Sequence, residues 1–292
     1  MTNNRVITGA IAALVAALFV LPFRINPMWS IELSLIGLAF GATSPVIASR
    51  RLYYLAAVAP HSAFLAASVV PLALALSGLY LGYGALYTLI ALVGSIPIAL
   101  SVLAISRGSS SDLVATLLVA GAASVAILAQ FAANMEGAGI PLSTLIAGDP
   151  LFLTPKEAAL TSIVALASLA ASISVYWYHL YTGIYPEGSL LYPSKLRRAL
   201  GEAGLVVSVA ASTTGLVLAT GFILQHALLL LPSIIASRIS RSASEAMRTS
   251  ILVSLASSLA GLNIALALDL PPSGVIALIL LMLALLASVS RD

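Results

Sequence analysis

Two histidines, His61 and His226, stand in stretches of sequence that are otherwise almost wholly apolar. A polar side chain in such surroundings costs on the order of a few kcal/mol unless it has a partner or faces a wet cavity. Neutral imidazole can bind a metal ion through a ring nitrogen. It can also hydrogen-bond to the backbone of a neighbouring helix. The residues alone therefore leave two roles open for each histidine: a metal ligand, or a contact that holds helices together.

The composition indicates what surrounds these histidines. Of 292 residues, 61% are hydrophobic and 8% are charged, and the mean hydropathy is +1.11. A water-soluble domain of this length could not bury so much apolar surface. We therefore predict a polytopic membrane protein in which residues 1–292 form a single transmembrane domain. The sequence has no cysteine, which excludes disulfides and thiolate metal sites.

Helices must carry these residues across the bilayer, because about 20 apolar residues in a helix span its hydrocarbon core. The sequence predicts an all-α bundle of nine or ten spans. The candidate spans are residues 6–23, 30–49, 54–77, 84–105, 112–133, 157–181, 203–219, 222–237, 249–268 and 273–290.

Three stretches need separate interpretation. The run 203–237 is too long for one span and short for two, so we expect a helix and a shorter or broken helix that meet near Gly221. Residues 134–157 favour an outer loop with a short interfacial or re-entrant helix. The run 6–23 follows a short basic head, as in a signal peptide, but has no small-residue cleavage site. We expect it to remain as an additional N-terminal helix.

The basic residues predict the orientation, because cytoplasmic loops of membrane proteins are enriched in lysine and arginine. With both termini in the cytoplasm, only Arg24 and Lys156 lie outside the cell membrane. The basic residues inside are then Arg5, Arg50, Arg51, Arg107, Lys195, Arg197, Arg198, Arg238, Arg241, Arg248 and Arg291. The loops 185–201 and 236–248 would together form a basic cytoplasmic surface. Membrane orientation explains this pattern better than nucleic-acid binding does.

Other polar residues in the apolar runs have structural interpretations. Gln225 and Asn263 can hydrogen-bond between helices. Glu32 lies near the outer end of its helix and can extend to the membrane boundary. His179, in YWYHLY, is expected in the aromatic belt at the boundary. Gln130 is a further polar candidate within a span.

Motifs for enzymatic chemistry are absent from the sequence. It contains no GxxxxGK[ST] nucleotide-binding loop, no HExxH and no GxSxG. No nucleophile–base pair or complete zinc triad can be assembled from the residues present. We therefore expect a transport subunit, in a transporter or channel-like bundle, rather than an enzyme.

Five segments, in this order along the chain, resemble the permease family of zinc- and manganese-type ABC importers. They are ATSPVIASRRLYYLAAVAPHSAFLAA, RGSSSDLVATLLVAGAASVAIL, IAGDPLFLTPKEA, GFILQHALLLLPSIIASRISRSASEAMR and LDLPPSGVIALIL. The resemblance covers about residues 30–290 and implies the membrane bundle of metal- and cobalamin-type ABC importers. The span 6–23 has no counterpart in the family core.

The resemblance implies partners and a cargo. Such permeases pair as homodimers in the lipid bilayer, receive metal from an extracytoplasmic metal-binding protein and couple to two ABC ATPase subunits, which hold the ATP. Segment 236–248 would be the coupling segment, with Arg238, Arg241 and Arg248 as its basic residues and 185–201 as a neighbouring contact. The cargo would be zinc, manganese or iron, and no cofactor would be bound permanently.

One position departs from the family. Its members usually have an aspartate four residues before the histidine of the third helix, on the same helical face. Here that residue is Ala57, whereas His61 remains, and His226 replaces a small hydroxyl residue. We hypothesise that His61 and His226 both face the central pathway and bind the metal, across neighbouring helices or across the dimer axis. A site rich in imidazole and poor in carboxylate favours zinc over manganese.

Alternatives remain open at this point. Asp149 and Asp269, near the outer side, could attract a cation or the binding protein, or could cap a helix and stabilise a turn. A secondary ion transporter could bind its ion at a broken helix without an ATPase. An ABC permease for a metal chelate would share the basic inner loop.

Overall fold

The computed structural model describes residues 15–78, 85–106, 111–137, 140–148, 150–185 and 194–289. Within these ranges the chain forms helices and no strands. The helices are α1 (Val15–Ile25), α2 (Pro27–Ser49), α3 (Tyr53–Leu76), α4 (Ala85–Ser106), α5 (Ser111–Met135), α6 (Leu142–Ala147), α7 (Pro155–Ile184), α8 (Lys195–Thr213), α9 (Val217–Ile239), α10 (Ala243–Leu268) and α11 (Pro272–Val289). Outside the described residues lie the start of the run 6–23 and Arg5, Arg107, Asp149 and Arg291.

Seven described helices are long and apolar enough to cross a membrane: α2, α3, α5, α7, α9, α10 and α11. Helix α8 fails this test because its first turns carry Lys195, Arg197, Arg198 and Glu202. Two shorter apolar stretches lie in α1 (Val15–Ile25) and in α4 (Leu92–Ser101). The predicted all-α membrane bundle is confirmed, and the described part of the chain supplies seven of the nine or ten expected spans.

Local sequence signals fix where several helices begin and end. Asn26 Oδ1 accepts from the Met28 N–H at 3.0 Å at the start of α2. Thr154 and Glu157 form a capping box at the start of α7. Asp269 ends α10 in a left-handed conformation, with φ 54°. The turn-stabilising interpretation of Asp269 therefore fits the structure.

Helix α2 lies at the centre of the bundle and packs against α7, α9 and α10. Helix α1 is attached to this centre through α10. Proline has no N–H, so Pro22 removes the usual helical donor to the carbonyl of Leu18. Asn263 Nδ2 of α10 donates to that carbonyl at 2.8 Å. Asn263 thus bridges helices, as expected, and compensates for the proline.

The break expected near Gly221 is present. Helix α8 ends at Thr213, a turn follows, and α9 contains Gly221 in a non-helical conformation with φ 62° and ψ 163°. Gln225 Nε2 donates to the Thr213 carbonyl at 2.6 Å and to Thr220 Oγ1 at 3.0 Å. Gln225 therefore satisfies the carbonyl at the end of α8, which the break deprives of its helical partner.

The short helix expected between 134 and 157 is α6, and it packs against this break. Gly148, at the end of α6, has φ 62° and ψ 152°, a conformation essentially restricted to glycine. A Cβ atom on Gly148 would overlap the backbone of Thr220 and Gly221. Ser273 Oγ of α11 donates to the Gly148 carbonyl at 3.0 Å. Gly148 and Gly221 are therefore in direct backbone contact, and the Ser273 hydroxyl attaches α11 to Gly148.

Candidate metal site

His61 and His226 meet in the folded chain. His61 lies on α3 and His226 on α9, and these two helices pack together. The centroids of the imidazole rings are 5.1 Å apart, with the ring planes at 79°. Both side chains are half-buried. The structure thus brings together the two residues that the sequence singled out, whereas their role as metal ligands stays a prediction.

Each imidazole is oriented by its own helix. His61 Nδ1 lies 2.9 Å from the Ala57 carbonyl, and His226 Nδ1 lies 2.7 Å from the Phe222 carbonyl. Because a carbonyl can only accept, Nδ1 of each ring carries a hydrogen in these two bonds. The Ala57 carbonyl is a further hydrogen-bond acceptor beside the His226 ring. Fixing one nitrogen by a backbone carbonyl and leaving the other for a metal is the usual arrangement of metal-bound histidine.

Two phenylalanines complete an aromatic cluster around the histidines. The Phe222 centroid lies 5.6 Å from that of His61 and 5.8 Å from that of His226. Phe64 stacks on Phe222 at 5.6 Å, with ring planes at 18°, and is 3% exposed. Phe222 lies four residues before His226 on α9, which places the two rings side by side, and the packing of α9 on α3 brings Phe222 to His61.

Position 57 lies beside the histidine pair, but it supplies no side-chain ligand. Ala57 is half-buried, and its carbonyl, which accepts from His61, also lies near the His226 ring. The oxygen placed beside both rings is therefore a neutral backbone carbonyl. Among the described residues, no group of three or more His, Cys, Asp and Glu side chains could hold a metal ion. Two imidazoles leave coordination positions open, which suits an ion in passage better than a structural zinc, whose four positions are filled by protein ligands.

His179 is not in an aromatic belt, contrary to the sequence-based expectation. Its side chain is fully buried, at 0% exposure. His179 Nε2 donates to the Gly201 carbonyl at 3.0 Å, and Nδ1 accepts from Arg50 Nη1 at 3.4 Å. Arg50 Nη1 also forms an ion pair with Glu202 Oε1 at 2.7 Å. The reason is that α8 begins at Lys195 rather than near residue 203, so its first turns cover His179.

Glu32 and Gln130 are also placed by the structure. Glu32 does not extend outward: it is 1% exposed, and neither carboxylate oxygen has a hydrogen-bond partner among the described residues. Gln130 Nε2 donates to the Ile140 carbonyl and thereby connects α5 to the segment before α6. The role of Gln130 is structural.

The predicted coupling segment 236–248 is ordered by hydrogen bonds and exposes its basic side chains. Ser242 Oγ accepts from the Glu245 N–H at 3.2 Å, and Glu245 Oε2 accepts from the Arg241 N–H at 2.8 Å. The Tyr176 hydroxyl of α7 donates to the Ala243 carbonyl at 2.8 Å. The exposed basic residues of this segment are Arg238, Arg241 and Arg248.

The model of a family described as the ABC 3 transport family matches residues 25–291. The chain belongs to this family. The match confirms the recognition of a permease of the metal-type ABC importers from its sequence segments, and it makes the chain a multi-pass membrane protein. Residues 15–24 of α1 precede the matched region.

Two solved structures share the fold of this ABC 3 family member. PsaBC from Streptococcus pneumoniae, in complex with Fab, has a TM-score of 0.72 at 18% identity, and the similarity covers 95% of each chain. An inward-facing metal-chelate type ABC transporter has a TM-score of 0.67 at 13% identity, over 97% of this chain and 99% of the other. A search of curated proteins gave no match.

Proposed function

We propose that this permease carries a divalent transition metal ion, with zinc favoured over manganese and iron, and that His61 and His226 bind the ion in transit. The observation that supports this most is the convergence of the two imidazoles from different helices, at 5.1 Å between centroids. Nδ1 of each ring is held by a carbonyl of its own helix, which would leave Nε2 for the ion. Imidazole nitrogen without carboxylate suits zinc better than the harder manganese ion.

The energy for transport would come from partner subunits, because the sequence has no nucleotide-binding loop. We propose that the permease acts as a homodimer with two ABC ATPase subunits and receives its metal from an extracytoplasmic binding protein. Arg238, Arg241 and Arg248 would contact the ATPase on the cytoplasmic side, where both termini also lie. The ordered backbone of segment 236–248 supports this role, since a rigid segment can transmit movement to α9 and α10.

A metal chelate is a second candidate cargo, because the two imidazoles leave coordination positions that the anionic groups of a chelate could fill. The secondary ion transporter considered from the sequence is set aside by the family match.

The first test is isolation of the tagged protein from its native membranes, followed by mass spectrometry and metal uptake by the recovered complex in proteoliposomes. We expect an ATPase at about one copy per permease chain and ATP-dependent uptake of zinc.

His61→Ala and His226→Ala should each reduce uptake at least about 100-fold, a loss of about 2.7 kcal/mol, with assembly unchanged. Normal uptake by both variants, or recovery of the chain without an ATPase, would contradict the proposal. Uptake only of a preformed chelate would select the second candidate.

A further inference from the structure

Phe222 occupies one flank of the histidine pair. The centroids of His61, His226 and Phe222 form a nearly equilateral triangle, with sides of 5.1, 5.6 and 5.8 Å. The ring therefore lies beside both imidazoles at once, rather than behind one of them. Ring carbons fill a region that would otherwise hold water or a further ligand of a bound ion.

The position of this ring is fixed from two directions. Phe222 follows Gly221, whose backbone is packed directly against Gly148 at the end of α6. The buried ring of Phe64 stacks on its face at 18°. A ring held by its backbone and by a stacked neighbour cannot swing aside at low energy to admit another ligand.

Metal ions differ in the number of ligands that they require, and a hydrocarbon side chain beside the ion supplies none. Zinc is stable with four ligands in a tetrahedron. Manganese and magnesium favour six ligands, mostly oxygen, and magnesium gives up its water with difficulty. A site with two imidazoles and one closed flank therefore accepts a four-coordinate ion more readily than one that must keep a full octahedral shell.

We propose that Phe222 is a specificity-determining residue, whose ring limits the coordination number of the ion bound by His61 and His226. This inference rests on the proposed function, because it presumes that the pair binds the transported ion. It adds a reason for selectivity that does not depend on the type of ligand: the site discriminates by the space beside the ligands as well as by their nitrogen atoms.

The test compares Phe222→Ala with Phe222→Trp, which keeps an aromatic wall, and with Phe131→Ala as a control. Phe131 is 67% exposed on α5. Zinc and manganese uptake are measured in competition, with the complete importer in proteoliposomes. We expect Phe222→Ala to lower the zinc-to-manganese ratio about tenfold, mainly through greater manganese uptake. Phe222→Trp and Phe131→Ala should keep the ratio of the parent protein. An unchanged ratio in Phe222→Ala would overturn the inference.

Absorption by bound Co²⁺ reports coordination number directly, because four-coordinate Co²⁺ absorbs visible light far more strongly than six-coordinate Co²⁺. The purified complex should give the strong spectrum, and Phe222→Ala the weak one. If Phe222→Ala does not assemble, Phe222→Leu takes its place in both measurements. A spectrum unaffected by replacing His61 and His226 would refute metal binding by the pair, and hence the proposed function. A histidine-dependent spectrum that is the same with and without the Phe222 ring would refute this inference alone.

Discussion

The three histidines of the bundle fall into two regions with opposite hydrogen bonding. His179, between α7 and α8, uses both ring nitrogens, one toward Gly201 and one toward Arg50. In His61 and in His226, Nδ1 is held by a carbonyl of the same helix. An intramembrane histidine is a candidate ligand when a backbone carbonyl holds one ring nitrogen and no side chain occupies the other. The most deeply buried histidine of the three is thus the one with a structural role.

Replacing each kind of histidine by alanine gives the largest expected contrast. We expect His179→Ala to lower the free energy of unfolding by about 2–4 kcal/mol, because it opens a cavity and removes buried partners of Arg50 and Gly201. His226→Ala should lower it by less than about 1 kcal/mol, since the carbonyl that it frees lies within a helix. Unfolding of the detergent-solubilised protein in a denaturant series measures both values. Equal losses would remove the distinction between the two regions.

Replacing Gln225 tests whether a polar residue directly beside His226 has a structural role or a metal-binding role. Gln225→Leu should destabilise the protein by about 2 kcal/mol, since the Thr213 carbonyl loses its buried donor. Metal uptake per folded molecule should change much less than in His226→Ala. Ile223→Leu, at an exposed position of the same helix, is the matched control. Loss of uptake at full stability in Gln225→Leu would place this amide among the metal-binding groups.

Ala57 allows the donor set of the site to be altered. Ala57→Asp places a carboxylate on the helical face of His61, one turn away. We expect the manganese-to-zinc uptake ratio to rise about tenfold, which corresponds to about 1.4 kcal/mol, because manganese favours oxygen ligands. Ala57→Asn, which has the same shape without the charge, should raise it less. An identical ratio in both variants and the parent protein would show that position 57 does not reach the ion.

The sequence singled out His61 and His226 as candidate ligands because the signal was local, and it left open whether they meet. His61 lies in a segment typical of the family, and Gly221 indicates the break that brings α9 into position. The surroundings of His179 could not be predicted in this way. The charged first turns of α8, KLRRALGE, resemble a loop in a hydropathy analysis, and only their docking against Arg50 and Tyr178 makes them a buried contact.

The contacts of Phe222 and of α1 also lie beyond what the sequence can predict in full. The i, i+4 spacing of Phe222 and His226 accounts for their contact, but no sequence signal predicts the contact of Phe222 with His61, because that contact depends on how α3 and α9 pack. The partner of Asn263 could not be predicted either, since the Leu18 carbonyl is available only because Pro22 removes its helical donor. Pairings between helices distant in sequence decide both cases.

Glu202→Gln tests whether the ion pair or the imidazole stabilises the region around His179. Its expected effect is the smallest. The ion pair with Arg50 is partly exposed, at 26% and 24% of the two side chains, so solvent screens much of its attraction. Glutamine keeps an oxygen that can accept from Arg50 and Tyr178. We therefore expect a loss of about 0.5–1 kcal/mol, well below that of His179→Ala, with the exposed Glu136→Gln as the control in the same unfolding measurement. If Glu202→Gln destabilises the protein as much as His179→Ala does, the charge of Glu202 rather than the imidazole holds α2, α7 and α8 together. The two regions would then differ in charge, one being a charged network and the other an uncharged site.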